Sequence, residues 1–294
     1  MKRVSALAAV LCLLAGFAAP AGAQAPEPAG GDLPGYTSIY CSGFMTTRNI
    51  QEGLHVLAGE RGVATEFIPG DVVFLSRGAG WIVSPGGEYI VYRRTVDIDR
   101  TEMFPGQNEM LAQMGTMYVE IGRLKIAVVN EHSSSAVVTH TCESISPGDI
   151  AVPFNVKPAP VIRPVAELDR FTPPSGKQVG MIATGRNFQL SFAEREIGFL
   201  NIGATQGIQV GQYVRVWRPF ENSAGDRLDQ YMRRGPRKIR GQRLGIELTR
   251  EQERALPREI LGEAVVMHVE PGSATVLFTN VQRPIFAGDR VEVE

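Results

Sequence analysis

FLSRGAG, residues 74–80, returns as FLNIGAT, residues 199–205, and this recurrence decides the fold. The two stretches align without a gap at an offset of 125, placing Phe74 on Phe199, Leu75 on Leu200, Gly78 on Gly203 and Ala79 on Ala204. The same offset lays Gly86 on Gly211, Val91 on Val216, Tyr92 on Trp217 and Arg93 on Arg218. Farther along the offset becomes 140, and IGRLKIAVVN from Ile121 falls on LGEAVVMHVE from Leu261. There Gly122 meets Gly262, Val129 meets Val269, Ile145 meets Ile285, and Gly148-Asp149 meets Gly288-Asp289. Self-similarity of this kind marks one supersecondary unit used more than once. The expectation is a tandem of two related modules, the second carrying an insertion of 15 residues within 219–260.

Each copy reads as β. YIVYRR (89–94) and YVRVWR (213–218) alternate and are rich in β-branched and aromatic residues. The pairs LKIAVV with AVVTHT, and AVVMHV with ATVLFT, are joined by the short turns EHSSS and EPGS, a hairpin pattern. Short strands punctuated by glycine predict a mainly β fold of two small barrel-like modules in tandem. The Gly-Asp dipeptides at 70–71, 148–149 and 288–289 each precede a strand, and Gly211-Gln212 takes the same place once. Glycine tolerates positive φ and aspartate accepts turn N–H groups, so these read as turns and not as catalytic carboxylates.

The opening residues have the grammar of a secretory signal peptide. Lys2 and Arg3 precede an apolar run, and Ala21-Gly22-Ala23 supplies small residues before Gln24. The expected organisation is a signal peptide over 1–23, a flexible leader over 24–35, and a first module over 36–154. A Pro-rich linker over 155–178 and a second module over 179–294 follow. The apolar run is too short to span a bilayer, so an exported, periplasmic protein is expected. The formal charge of −1 becomes −3 without Lys2 and Arg3, which gives no general reason to expect nucleic acid. Cys41 and Cys142 remain in the exported chain; in an oxidising compartment such a pair is most simply a disulfide, the alternative being two buried thiols.

FLNIGATQGIQVGQYVRVWRP, LGEAVVMHVEPGSATV and IFAGDRVEVE together resemble the C-terminal module of flagellar assembly protein T. They are also similar to uncharacterised exported bacterial proteins, some labelled as peptidoglycan-binding LysM proteins. The resemblance covers most of 70–154 and 198–294. It implies a small barrel-like module in the cell envelope, without established catalysis. From the residues themselves, with His55, His132, His140 and His268 scattered along the chain, neither a cofactor nor a metal is expected. The long insertion of the second copy departs from that pattern, and no LysM repeat is legible.

Catalytic signatures are sparse. FTPPSGKQV (171–179) lacks the first glycine and the final hydroxyl residue of a phosphate loop. His140 and Cys142, two apart in a strand, share a face and could form a thiolate–histidine pair, the basis of an alternative reading as a cysteine-dependent envelope enzyme. The insertion concentrates Arg227, Arg233, Arg234, Arg237, Lys238, Arg240 and Arg243 against the single acid Asp229. Such a stretch suits an anionic envelope polymer or an acidic protein face. Tyr92 and Trp217 occupy matched strand positions and could stack on sugar rings, the alternative reading as a glycan-binding protein. The favoured expectation is a non-enzymatic envelope protein that contacts another envelope component through its modules and its basic loop.

Overall fold

The computed structural model describes residues 34–50, 53–81, 84–99, 101–219, 237–239, 242–244, 251 and 256–294. The expected signal peptide and most of the leader lie outside the described residues. In the first half, helix α1 (Tyr36–Tyr40) leads into β1 (Phe44–Thr46), β2 (Val56–Gly59), β3 (Val72–Leu75) and β4 (Glu88–Thr95). Helix α2 (Gln107–Met114), β5 (Thr116–Val129), β6 (Ser134–Thr141) and β7 (Ile150–Pro153) complete it. The second half contains β8 (Val179–Gly185), β9 (Ser191–Phe192), β10 (Ile197–Leu200) and β11 (Tyr213–Arg218). It continues with β12 (Arg237–Ile239), β13 (Gln242–Leu244), β14 (Glu259–Val269), β15 (Ala274–Val281), β16 (Ile285–Phe286) and β17 (Arg290–Val293).

The second half is a closed six-stranded antiparallel barrel in the order β10-β15-β14-β11-β17-β8. The first half is a seven-stranded sheet in the order β2-β3-β6-β5-β4-β7, with β1 paired to β5. The barrel expected here lacks a continuous closing ladder. Its end strands meet at one bridge, His55 to Ile150, supported by hydrogen bonds between Val56 and Asp149, Gly148 and Val56, and Ala151 and Leu54.

The backbone irregularities fall at matching places. The β5–β6 pairing shifts register between Arg123 and Leu124 and again between Ile126 and Val128. The β14–β15 pairing shifts between Glu263 and Ala264 and between Val266 and His268. β4 slips against β5 after Val91, and β11 against β14 after Val216. Such bulges bend strands and increase twist, as a tightly curled sheet requires.

Two matched glycine pairs follow from close approach. A methyl on Gly78 would land on the carbonyl oxygen of Asn130 and crowd Ser133; on Gly203 it would meet Glu270 and Ser273 in the same way. A methyl on Gly122 would strike the carbonyl of His140, and on Gly262 that of Asn280.

Each half also ties its last turn with an arginine. Arg93 Nε and Nη2 donate to Asp149 at 2.9 and 2.8 Å, and Nη2 also reaches the Ser144 carbonyl. Arg218 holds Asp289 at 2.6 Å through both nitrogens and reaches the Pro284 carbonyl. Both carboxylates also accept a main-chain N–H three residues back, from Ser146 and Phe286. The aspartates are turn residues, as expected, and their bidentate arginines add a second anchor. The same i−3 bond forms at Asp71, and at Gln212 through its amide oxygen, which is why glutamine can replace aspartate there.

A methyl on Gly272 meets nothing within 4 Å. Gly203→Ala should therefore destabilise the protein by about 1–3 kcal/mol, because the hairpin backbone must move. Gly272→Ala should stay within about 0.5 kcal/mol of the parent. Urea denaturation of the two variants measures the contrast.

Candidate functional site

The cysteine expectation is met by a disulfide. Cys41 and Cys142 are bonded, with Cα atoms 5.8 Å apart and 101 residues between them in sequence. His140 lies beside them, its ligand atom within 4.8 Å of both sulfurs. With the bridge in place neither sulfur is the free thiolate that a Cys–His nucleophile needs.

The matched aromatics have different surroundings. Tyr92 is buried, its ring 5.4 Å from Phe44 in an edge-on contact, and presents no open face to a sugar. Burial first, and the nearby Glu270 charge second, push its hydroxyl up to about 12. Trp217 is half-buried, with the guanidinium groups of Arg258 and Arg290 at 5.1 and 5.3 Å from its ring. It stands near the end of β11, where the chain enters the basic insertion. Of the insertion's basic residues, Arg227, Arg233, Arg234 and Arg240 lie outside the described residues. Arg237 and Lys238 fall in β12 and Arg243 in β13, a two-stranded hairpin whose register sets Lys238 opposite Arg243.

A buried polar assembly sits where the two halves meet. Glu270, 3% exposed, opens the turn between β14 and β15. Thr46 Oγ1 donates to its Oε2 at 2.7 Å. Arg48 grips both oxygens at 2.8 and 2.5 Å, and His268 Nε2 lies 2.9 Å from Oε1. Burial pulls this carboxyl upward, but the hydrogen bonds from His268, Arg48 and Thr46 outweigh it and hold it down at about 2. Around this centre β1 lies across β15. Ser273 Oγ donates to the Met45 carbonyl at 2.5 Å and Thr275 Oγ1 to the Gly43 carbonyl at 3.0 Å. The Phe44 ring sits 5.0 Å from His268, and Gln107 of α2 donates to the Ala183 carbonyl at 2.8 Å. Met45, Leu111 and Met114 of the first half share one buried cluster with Ala183, Ile197, Phe199, Val265, Met267 and Leu277 of the second. A second tie runs beside the disulfide, from Arg186 Nη2 to Glu143 at 2.6 Å.

The Pro-rich segment expected to link the modules is laced along both. Lys157 pairs with the fully buried Glu120, and its main-chain N–H reaches the Tyr40 hydroxyl. Burial pushes the Lys157 ammonium down to about 7. Arg163 bridges Glu263 and Glu294 while stacking 4.0 Å from the Tyr213 ring. Ser175 donates to Glu292, which also pairs with Arg258.

No protein-family model matches the chain, and no curated protein is similar to it. Among the described residues no helix is long and apolar enough to cross a membrane.

Sequence reasoning missed the Glu270 centre and the Glu120–Lys157 pair. The matched-glycine alignment already put Glu270 opposite Asn130 and His268 opposite Val128, and those changes of polarity on an otherwise shared pattern are the signal that could have found the junction.

The two buried charges predict opposite pH limbs. The Glu270 carboxyl lies below its ordinary 4.5, so its contribution is complete above that value and is lost as pH falls toward 2. Glu270→Gln should flatten this acid limb. Lys157 lies below its ordinary 10.5, so its cost is full below about 7 and is relieved as pH rises toward 10.5. Lys157→Met should remove the alkaline gain and, by stranding buried Glu120, cost about 3–5 kcal/mol at neutral pH. Thermal unfolding across pH reads both limbs.

Proposed function

We propose that this protein is an exported, non-catalytic component of the cell envelope that binds an anionic envelope partner through the basic insertion of its second half. The observation that carries this reading is the register of the β12–β13 hairpin, which sets Lys238 opposite Arg243. Like charges directly opposite on paired strands are unfavourable, and a bound anion offsets that cost. In sequence the hairpin falls between β11 and β14, two adjacent strands of the closed barrel. Trp217, flanked by Arg258 and Arg290, sits near the end of β11 and suits a partner with both charge and flat apolar surface. A long-range disulfide accords with an oxidising compartment, which supports export to the periplasm.

In the same reading the two halves are copies of one unit. Their matched strand order, bulges, glycine contacts and arginine–aspartate corners support it. The likeness to the flagellar assembly protein T module points the same way: scaffold and binding, not catalysis. A flagellar setting is one of several envelope locations this allows.

Co-sedimentation with isolated envelope fragments tests the proposal. Binding should fall steeply between low salt and about 0.3 M salt, where the screening length shrinks to a few Å. Replacing Arg233, Arg234, Arg237, Lys238, Arg240 and Arg243 together by Gln should abolish it while leaving thermal unfolding unchanged. Binding that survives both the salt and the substitutions contradicts an electrostatic contact through the insertion.

A further inference from the structure

The junction has a counterpart that the described residues leave open. On the second half, the outer row across β10, β15 and β14 is Phe199–Thr275–His268, set by the strand register. On the first half, the row across β3, β6 and β5 is Phe74–Ser135–Val128, in the same register. β1 and α2 cover the former: Phe199 is 0% and Thr275 1% exposed. The latter is bare, with Phe74 37%, Val128 52% and neighbouring Leu57 53% exposed. The next row repeats the contrast. Ile197, Leu277 and Val265 are buried, whereas their counterparts Val72, Val137 and Lys125 are not.

The covering strand also specifies what fits. Thr275 and Ser273 donate their hydroxyls to two carbonyls of the covering segment, that of Met45 within β1 and that of Gly43, which precedes β1 and turns the chain into it with a φ of 74°. The counterpart positions on the first half keep that hydroxyl pair, as Ser135 and Ser133. The carboxylate that demands an arginine does not persist: Asn130 stands where Glu270 stands, and Val128 where His268 stands. The bare face therefore retains the hydroxyl donors for a main chain and the apolar row for its side chains, and has lost the buried carboxylate, with Lys125 as a cation at its margin.

We infer that the outer face of β3, β6 and β5 in the first half is a docking surface for an extended, uncharged, apolar strand of a partner protein. That strand crosses β6 as β1 crosses β15, with alternate main-chain carbonyls on Ser135 and Ser133. The inference rests on reading the two halves as copies, and it adds a second contact, of different chemistry, to the basic insertion. The chain's own β1 cannot fill the face, because it already lies across β15. Exposed apolar surface of this kind on a soluble module marks an interaction site.

A blocked synthetic peptide of the covering strand, Ser42 to Thr47, is the probe, added to the isotope-labelled full chain. The expected result is saturable amide shifts at Val128, Ser133 and Ser135. Phe74→Asp, at an exposed position, should weaken the binding by about tenfold or more without lowering the melting temperature. A scrambled peptide of the same composition should bind as weakly as the variant does.

Several outcomes overturn the proposal. One is the absence of saturable shifts on β6. Another is shifts confined to β15, meaning that the peptide only displaces the internal strand. A third is concentration-dependent self-association that buries Phe74 without peptide, which would make a second copy the occupant. The six-fold Gln variant of the insertion separates the two readings. It should keep peptide binding while losing envelope co-sedimentation, so failure of one contact leaves the other standing.

Discussion

A carboxylate out of water must be surrounded by donors, and Glu270 obtains its donors from both halves of the chain. Thr46 and Arg48 come from the first half and His268 from the second. Without them the desolvation cost would be several kcal/mol, so the charge is stable only while the halves stay together. The same contact lays β1 over the outer face of the closed barrel and closes a shared apolar cluster beneath it. The Pro-rich segment then runs along both halves, with Lys157 and Arg163 neutralising buried acids on its way. The result is one continuous body in which barrel closure, junction and connecting segment depend on each other.

Much of the fold was legible because it rests on local or repeated constraints. Alternating apolar residues gave the strands in β4, β6, β11 and β15, and the short turns gave their hairpins. The matched glycines could be found because each faces a carbonyl that comes close in its own half, and no side chain fits there. The cysteine pair could be read from compartment alone. The junction could not be read in this way. Thr46 and Glu270 lie 224 residues apart, and β1 is a three-residue strand without a pattern of its own. Tyr92 shows the same limit: its strand was evident, but whether its outer side meets solvent depends on Phe44, which no periodicity places. Lys157 and Glu120 were hidden for a similar reason, since a proline-rich segment gives no sign of which surface it will cross.

The two halves differ where function would be expected to separate them. The interior positions, corners and bulges match, while the outer row changes from Thr275, His268 and Glu270 to Ser135, Val128 and Asn130. One face is specialised to receive this chain's own strand with a charge at its centre; the other stays apolar and open. The second half carries the cationic insertion instead.

The central claim is that the Glu270 junction makes the halves unfold as one unit. The chain has two tryptophans, Trp81 in the first half and Trp217 in the second, so each half has its own reporter. Urea unfolding of Trp81→Phe and Trp217→Phe variants, followed by fluorescence, should give coincident transitions. Adding Arg48→Ala to each should pull the two transitions apart. Transitions that are already separate with Arg48 in place, or that stay coincident without it, would contradict the claim.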